Sequence, residues 1–172
     1  NSGERSLKAL RKNYKVVNYS ATYGVGAAKL ARETGMTKSE AQNLLDAFWS
    51  RNWAVQKVAN DLTVREVNGS QWVQNPVSKF WYSLRSDKDR FSTLNQGTGV
   101  YCFDSWVKEC RKMGIKTIGQ FHDEVIALTE EGKEDVVENI MDLAIKSVNQ
   151  ELQLNVVLGV DAQFGKSYAE IH

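Results

Sequence analysis

Apolar positions recur at helical spacing through the first two dozen residues, and the polar positions between them carry charge and aromatic rings. A helix is expected from about Ser6 to Tyr23, with Leu10, Tyr14, Val17 and Ala21 on a packing stripe. The opposite stripe holds Arg11, Lys15, Tyr19 and Tyr23, four residues apart, running roughly 18 Å along the axis. Gly24 ends it, either as a helix C-cap or as a place where something approaches the backbone closely. Gly35 breaks a short following segment, and Thr37 with Glu40 has the spacing of a capping box. Ala41, Leu44, Leu45, Phe48, Val55, Val58 and Leu62 then predict one long helix reaching about Val64.

Asn68-Gly69-Ser70 is a turn signal, and 71–84 reads as extended chain holding the sole proline, Pro76. Phe80, Trp81 and Tyr82 in that stretch are expected to pack. A polar link from Arg85 to Arg90 leads to a helix from about Phe91 to Met113, closed by Gly114. Ile115–Phe121 is read as a strand, His122-Asp123-Glu124 as a tight turn and Val125–Leu128 as the returning strand. A helix over about 133–151 follows, with Val136, Val137, Ile140, Leu143, Ala144 and Val148 inward, and 154–160 is read as a last strand. Helices plus an antiparallel sheet give an α+β fold class.

The length of 172 residues suits one ordinary domain, and 42% hydrophobic with 25% charged residues is a globular composition. No apolar run approaches the roughly 20 residues that span a bilayer, so no membrane partner is expected. Cys102 and Cys110 lie eight apart in a helical pattern, about 12 Å along the axis, too far to bridge. Unpaired thiols point to a reducing compartment, and no metal-binding cysteine spacing exists. Net charge is only +1, but residues 1–24 hold Arg5, Lys8, Arg11, Lys12 and Lys15 against Glu4 alone, while 129–152 is acidic. One end can therefore attract a polyanion.

The chemistry sits in two places. Arg11 and Lys15 form a positive i, i+4 pair that costs a helix roughly 0.2–0.5 kcal/mol, and a solvated basic face is its plain explanation. Two cations spaced for a polyphosphate, then rings spaced for a sugar and a base, also describe a nucleoside triphosphate lying along a helix. His122-Asp123-Glu124 joins two apolar strands, where adjacent acids point to opposite faces. Acids in hairpin turns are common, but a hard cation such as Mg²⁺ or Mn²⁺ on Asp123 would relieve the local repulsion.

Taken together, Arg11-xxx-Lys15-xxx-Tyr19-xxx-Tyr23-Gly24 resembles motif B, the fingers helix of family A DNA polymerases, and His122-Asp123-Glu124 resembles motif C of their palm. Gln96-Gly97 is similar to the glutamine that contacts the primer–template minor groove, and the terminal His172 is similar to the end of polymerase I and its phage relatives. The resemblance covers nearly the whole chain in the correct order, and divides it into fingers (1–68) and distal palm (69–172). It implies that Arg11 and Lys15 hold the triphosphate, with Lys15 protonating the leaving group. Tyr19 would lie against the incoming sugar, and Tyr23 and Gly24 would border the templating base. Gln96 and His122 would contact DNA, Asp123 would ligate the Mg²⁺ of a two-metal site, and Glu124 would support it. Primer–template DNA and dNTP are the implied partners, and the cytoplasm of a bacterium or phage-infected cell the implied location.

The departures are specific. Ser92 stands where the family often has Asn, and Trp53 where many relatives have proline. Motif A, the strand supplying the other metal-binding aspartate, occurs nowhere, nor do thumb and exonuclease sequences. The resemblance thus implies a carboxy-terminal piece that needs the amino-terminal portion, as a second chain or a missing region. Two readings stand beside it: a single-subunit RNA polymerase, whose similar helix is usually accompanied by Ser after the Asp, and a non-catalytic nucleotide- or DNA-binding accessory. A phosphohydrolase of the His-Asp type is disfavoured, since the chain has two histidines.

Overall fold

A computed structural model describes residues 2–171; Asn1 and His172, the latter carrying one strand of the family resemblance, lie outside the described residues. The fold is α+β, and the chain forms two compact units, Asn1–Gly97 and Thr98–His172.

The first unit opens with α1 (Ser2–Thr22). Val17 and Ala21 are buried with Ala27 and Leu30 of α2 (Ala27–Thr34) and Ala41 and Leu45 of α3 (Lys38–Arg51). Tyr14, expected in the same stripe, is 61% exposed, because the two helices covering α1 meet it only from Val17 onward among its described side chains. Leu10 lies outside the described side chains. The capping box at α3 is complete: Glu40 N–H donates to Thr37 Oγ1 (3.2 Å), and Thr37 N–H donates to Glu40 Oε2 (2.8 Å).

The predicted long helix is two helices. At Asn52 the backbone leaves the helical region (φ −103°, ψ 32°), and its Nδ2 donates to the Phe48 carbonyl at 2.8 Å. A short amide side chain that binds its own backbone competes with the helical ladder, which apolar periodicity cannot report. α4 (Trp53–Asp61) follows with no buried residue, leaving Val58 exposed, and Val64 belongs to a strand instead.

That strand, β1 (Val64–Val67), pairs antiparallel with β2 (Ser70–Gln74), which pairs with β3 (Trp81–Leu84). Asn68 (φ 51°) and Gly69 (φ 73°) make the two-residue turn whose positive dihedrals match the sheet's twist. The expected fingers–palm boundary at 68/69 falls in this turn. Buried Asn75 shapes the β2–β3 connection around Pro76, its Oδ1 accepting from Val77 N–H (2.8 Å) and Ser78 N–H (3.1 Å). Phe80 is 59% exposed at this turn, more than expected, while Trp81 and Tyr82 are half-buried.

A 3₁₀ turn at Asp87–Asp89 leads into α5 (Arg90–Lys112). It ends in a Schellman motif at Gly114 (φ 94°), with Ile115 N–H on the Cys110 carbonyl (3.0 Å) and Gly114 N–H on that of Arg111 (3.1 Å). Cys110 and Ile115 are both buried, the apolar contact that commonly seals this motif. The second unit's core joins Trp106, Val107 and Cys110 of α5 to Met141, Ala144, Ile145 and Val148 of α6 (Glu134–Leu152). The inward stripe of α6 is rotated from the expected one: Val136 and Leu143 are exposed, and Met141 and Ile145 are inside. β4 (Lys116–Phe121) and β5 (Glu124–Leu128) form an antiparallel hairpin with an irregularity between Thr117 and Gly119. The strand expected over 154–160 is absent. Asn149 makes the paired contacts a neighbouring strand would have made, Nδ2 to the Leu158 carbonyl (2.8 Å) and Oδ1 from Leu158 N–H (2.9 Å). Among the described residues no helix is long and apolar enough to cross a membrane.

Candidate nucleotide and DNA site

The stripe on α1 is open to solvent: Arg11, Lys15, Tyr19 and Tyr23 are all exposed, on the side of the helix away from buried Val17 and Ala21. The Lys15 ammonium sits 5.6 Å from the centre of the Tyr19 ring. At an exposed position such a contact contributes roughly 0.5–1 kcal/mol, comparable in size to the repulsion between Arg11 and Lys15. No acid partner of Arg11 or Lys15 is found among the described residues, so two cations remain available to an anion.

Gly24 fulfils both alternatives read from the sequence. It is the left-handed residue of a Schellman motif (φ 71°), with Val25 N–H on the Ser20 carbonyl and Gly24 N–H on that of Ala21, both at 2.9 Å. It is also approached by another segment, since a β-carbon there would stand 3.4 Å from the Lys88 carbonyl oxygen. Just before it, the Tyr23 hydroxyl accepts a 2.7 Å hydrogen bond from Gln96 Nε2 on α5. Two residues 73 apart in sequence, each assigned to DNA by resemblance, are therefore in contact.

His122, Asp123 and Glu124 lie in the second unit at the β4–β5 turn. Phe121 pairs with Glu124, leaving His122 and Asp123 as the two turn residues. His122 holds φ 49°, a left-handed conformation costing an L-residue roughly 1–2 kcal/mol. His122 and Asp123 are exposed, and Glu124, which opens β5, is half-buried. No group of three or more His, Cys, Asp or Glu side chains able to hold a metal exists among the described residues. Asp123 offers the hard oxygen that Mg²⁺ prefers, but one carboxylate is a partial ligand set.

Two features were not singled out from sequence. An open cavity of about 290 Å³ is lined by Ser83, Arg85, Asp89, Ser92 and Thr93. Arg85 and Asp89 belong to the stretch read as a mere link, and nothing local marks it otherwise. The Arg65 guanidinium lies 3.8 Å from the centre of the Trp81 ring. Arg65 was placed beyond the predicted helix end, so its cross-strand neighbours were not legible.

In sequence the chain is similar to DNA polymerase I and to phage DNA polymerases, and in fold to part of a polymerase domain. Among curated relatives, DNA polymerase I of Pseudomonas aeruginosa is 25% identical over 94% of this chain and 19% of its own length. DNA polymerase I of Borreliella burgdorferi is 24% identical over 95% and 19%, and the DNA-directed DNA polymerase of Enterobacteria phage T3 is 23% identical over 94% and 27%. The chain thus spans about a fifth of the length of the bacterial relatives it matches. No family model matches it. Among solved structures, the polymerase domain of Pol1 from M. smegmatis, in complex with DNA primer-template and dNTP, superposes with a TM-score of 0.64 over 81% of this chain and 28% of that one, at 16% identity.

Proposed function

We propose that this chain provides the fingers (1–68) and distal palm (69–172) of a template-directed DNA polymerase, transferring a nucleotide from dNTP to a primer 3′-hydroxyl. The observation that carries the reading is the exposed Arg11–Lys15–Tyr19–Tyr23 stripe ending at Gly24, with Tyr23 bonded to Gln96. Its support is similarity to DNA polymerases along 94% of the chain.

In this reading Arg11 and Lys15 clamp the dNTP phosphates, and Lys15 delivers a proton to the departing pyrophosphate. A cation on a leaving oxygen acts where charge develops, which is where phosphoryl transfer gains most. Tyr19 packs on the incoming sugar, while Tyr23 and Gly24 bound the nascent pair; a side chain at Gly24 would crowd Lys88 as well as that pair. Gln96 and His122 hold the primer–template. Asp123 is one ligand of a Mg²⁺ pair, and Glu124 supports it electrostatically. When bound, the metals supply Lewis-acid stabilisation of the reacting oxygens. The remaining carboxylate comes from an amino-terminal polymerase portion carrying motif A, on a longer chain or a second one, in a bacterial or phage-infected cytoplasm.

Primer extension tests this directly. The chain alone incorporates no dNTP, and the chain combined with a motif A-bearing portion does. Robust extension by the chain alone, or none by the combination, refutes the reading. In the combined enzyme Lys15→Ala lowers turnover by roughly 10²–10⁴ if the lysine is the general acid; an unchanged rate removes that role.

A further inference from the structure

The hairpin that carries Asp123 is aimed by one extra residue. Thr117 pairs with Ala127, then Gly119 with Ile126, Gln120 with Val125 and Phe121 with Glu124, so Ile118 has no partner on β5. Directly opposed residues share a face of an antiparallel pair. In a regular strand Thr117 and Gln120, three apart, would point to opposite faces. With Ile118 bulged, both join Val125 and Ala127 on the face that packs against the α5–α6 core.

Both polar side chains then reach α5. Arg111 Nε donates to Thr117 Oγ1 at 2.8 Å, and Gln120 Nε2 donates to Asp104 Oδ1 at 3.1 Å. Asp104 and Arg111 are two helical turns apart, about 10 Å, and three strand residues cover about the same distance. The second tie falls two residues before His122. Asp104 enters no ion pair among the described residues, although Lys108 stands one turn further along α5, so its carboxylate serves Gln120.

The turn needs such a brace. His122 is left-handed (φ 49°), a conformation that persists where the surroundings over-determine it, yet His122 and Asp123 are themselves exposed. On the far face the Phe121 ring lies over Gly119, its Cε2 3.1 Å from where a β-carbon would stand. A two-stranded hairpin by itself is marginal in water. Mg²⁺ demands near-ideal octahedral geometry, so a carboxylate on a loosely held turn is a poor ligand for it.

We infer that Asp104 is a positioning residue: by holding Gln120 across the bulge it fixes the turn that carries Asp123, and with it the aim of that carboxylate toward Mg²⁺. The metal half of this inference rests on the polymerase reading, whereas the brace itself does not.

Hydrogen exchange of the metal-free chain and Mg²⁺ titration of primer extension by the combined enzyme test it. Asp104→Ala should speed amide exchange at the Phe121–Glu124 pair about fivefold, the scale of one net hydrogen bond, while Thr117 and Ala127 stay unchanged. In the combined enzyme it should raise half-saturating Mg²⁺ about tenfold, with the rate largely recovered at saturating metal. Gln120→Glu alone, which sets two carboxylates against each other, should behave likewise. Joining it to Asp104→Asn reverses donor and acceptor at the same total charge, and should return both readouts toward the parent. Unchanged exchange at the turn, an unchanged Mg²⁺ requirement in Asp104→Ala, or a double variant no better than Gln120→Glu each overturns the inference. Primer extension with a parental Mg²⁺ requirement in Asp104→Ala sinks this inference alone; a turn loosened as expected, with no extension by the combined parent, sinks the polymerase reading.

Discussion

Gly97 and Gly99 lie two residues apart on α5, and alanine at each should move stability in opposite directions. In a helix interior Gly is less favourable than Ala by roughly 0.8–1 kcal/mol, because it gives up more backbone freedom on folding. That gain is common to both substitutions. At Gly99 a β-carbon would meet nothing within 4 Å, so Gly99→Ala should stabilise by about 0.5–1 kcal/mol. At Gly97 it would fall 2.9 Å from Tyr82 Cζ, closer than real β-carbons approach, and a tight 3.0 Å from Cε2. Tyr82 is half-buried on the inward face of β3, so the ring must slide against its neighbours. Overpacking of this kind costs about 1–3 kcal/mol, and the low end applies where the yielding atoms are a ring tip. Gly97→Ala should therefore fall about 1–2 kcal/mol below Gly99→Ala, a separation of roughly 2–8 °C in melting midpoint for a chain of this size. Thermal and urea unfolding, followed by circular dichroism for both variants and the parent, measure it. If the two alanines stabilise equally, the close packing of Tyr82 on α5 is wrong, and with it the setting of neighbouring Gln96.

Gly24→Ala should cost about 1–2 kcal/mol from its left-handed dihedral alone, read as a lower urea midpoint at unchanged slope. Thr37→Ala should cost about 1 kcal/mol by deleting the cap of α3. The Thr37 backbone N–H, with its hydroxyl, holds the Glu40 carboxyl below the usual range. Its folded pKa is lowered, so the cap's charge-dependent stability is present above the unfolded pKa and fades as pH falls through the folded one. An acid-side stability profile unchanged by Glu40→Gln would contradict that. Burial pushes the Cys110 thiol up to about 11. The unfolded chain then loses this proton first, so stability should decline from about pH 9 to 11, and the decline should be shallower in Cys110→Ala. In the native chain Cys110 should resist alkylation at neutral pH until denaturant is added.

The elements whose cause is local were legible in the chain. The Thr37–Glu40 capping box, the Asn68-Gly69 turn and the Gly24, Gly35 and Gly114 helix ends depend on dihedrals and bonds within a few residues. So did the exposed stripe of α1, since a helix fixes which side chains share a face. What the sequence left open is whatever depends on partners far along the chain. The break at Asn52 kept the apolar period intact, so one long helix was predicted where two form. The strand expected over 154–160 found no neighbour to pair with, and Asn149 took up its backbone instead. Val136 and Leu143 have the right spacing for a core, but only the packing of α6 decided which stripe is buried. The Tyr23–Gln96 bond, the cavity wall shared by Ser83 and Thr93 and the Arg65–Trp81 stack join residues from different elements, and periodicity within one element reports neither side of such a contact. Local chemistry thus set helix ends, turns and the charged stripe, while burial and cross-element contacts, which are sums over distant neighbours, were fixed only by the folded chain.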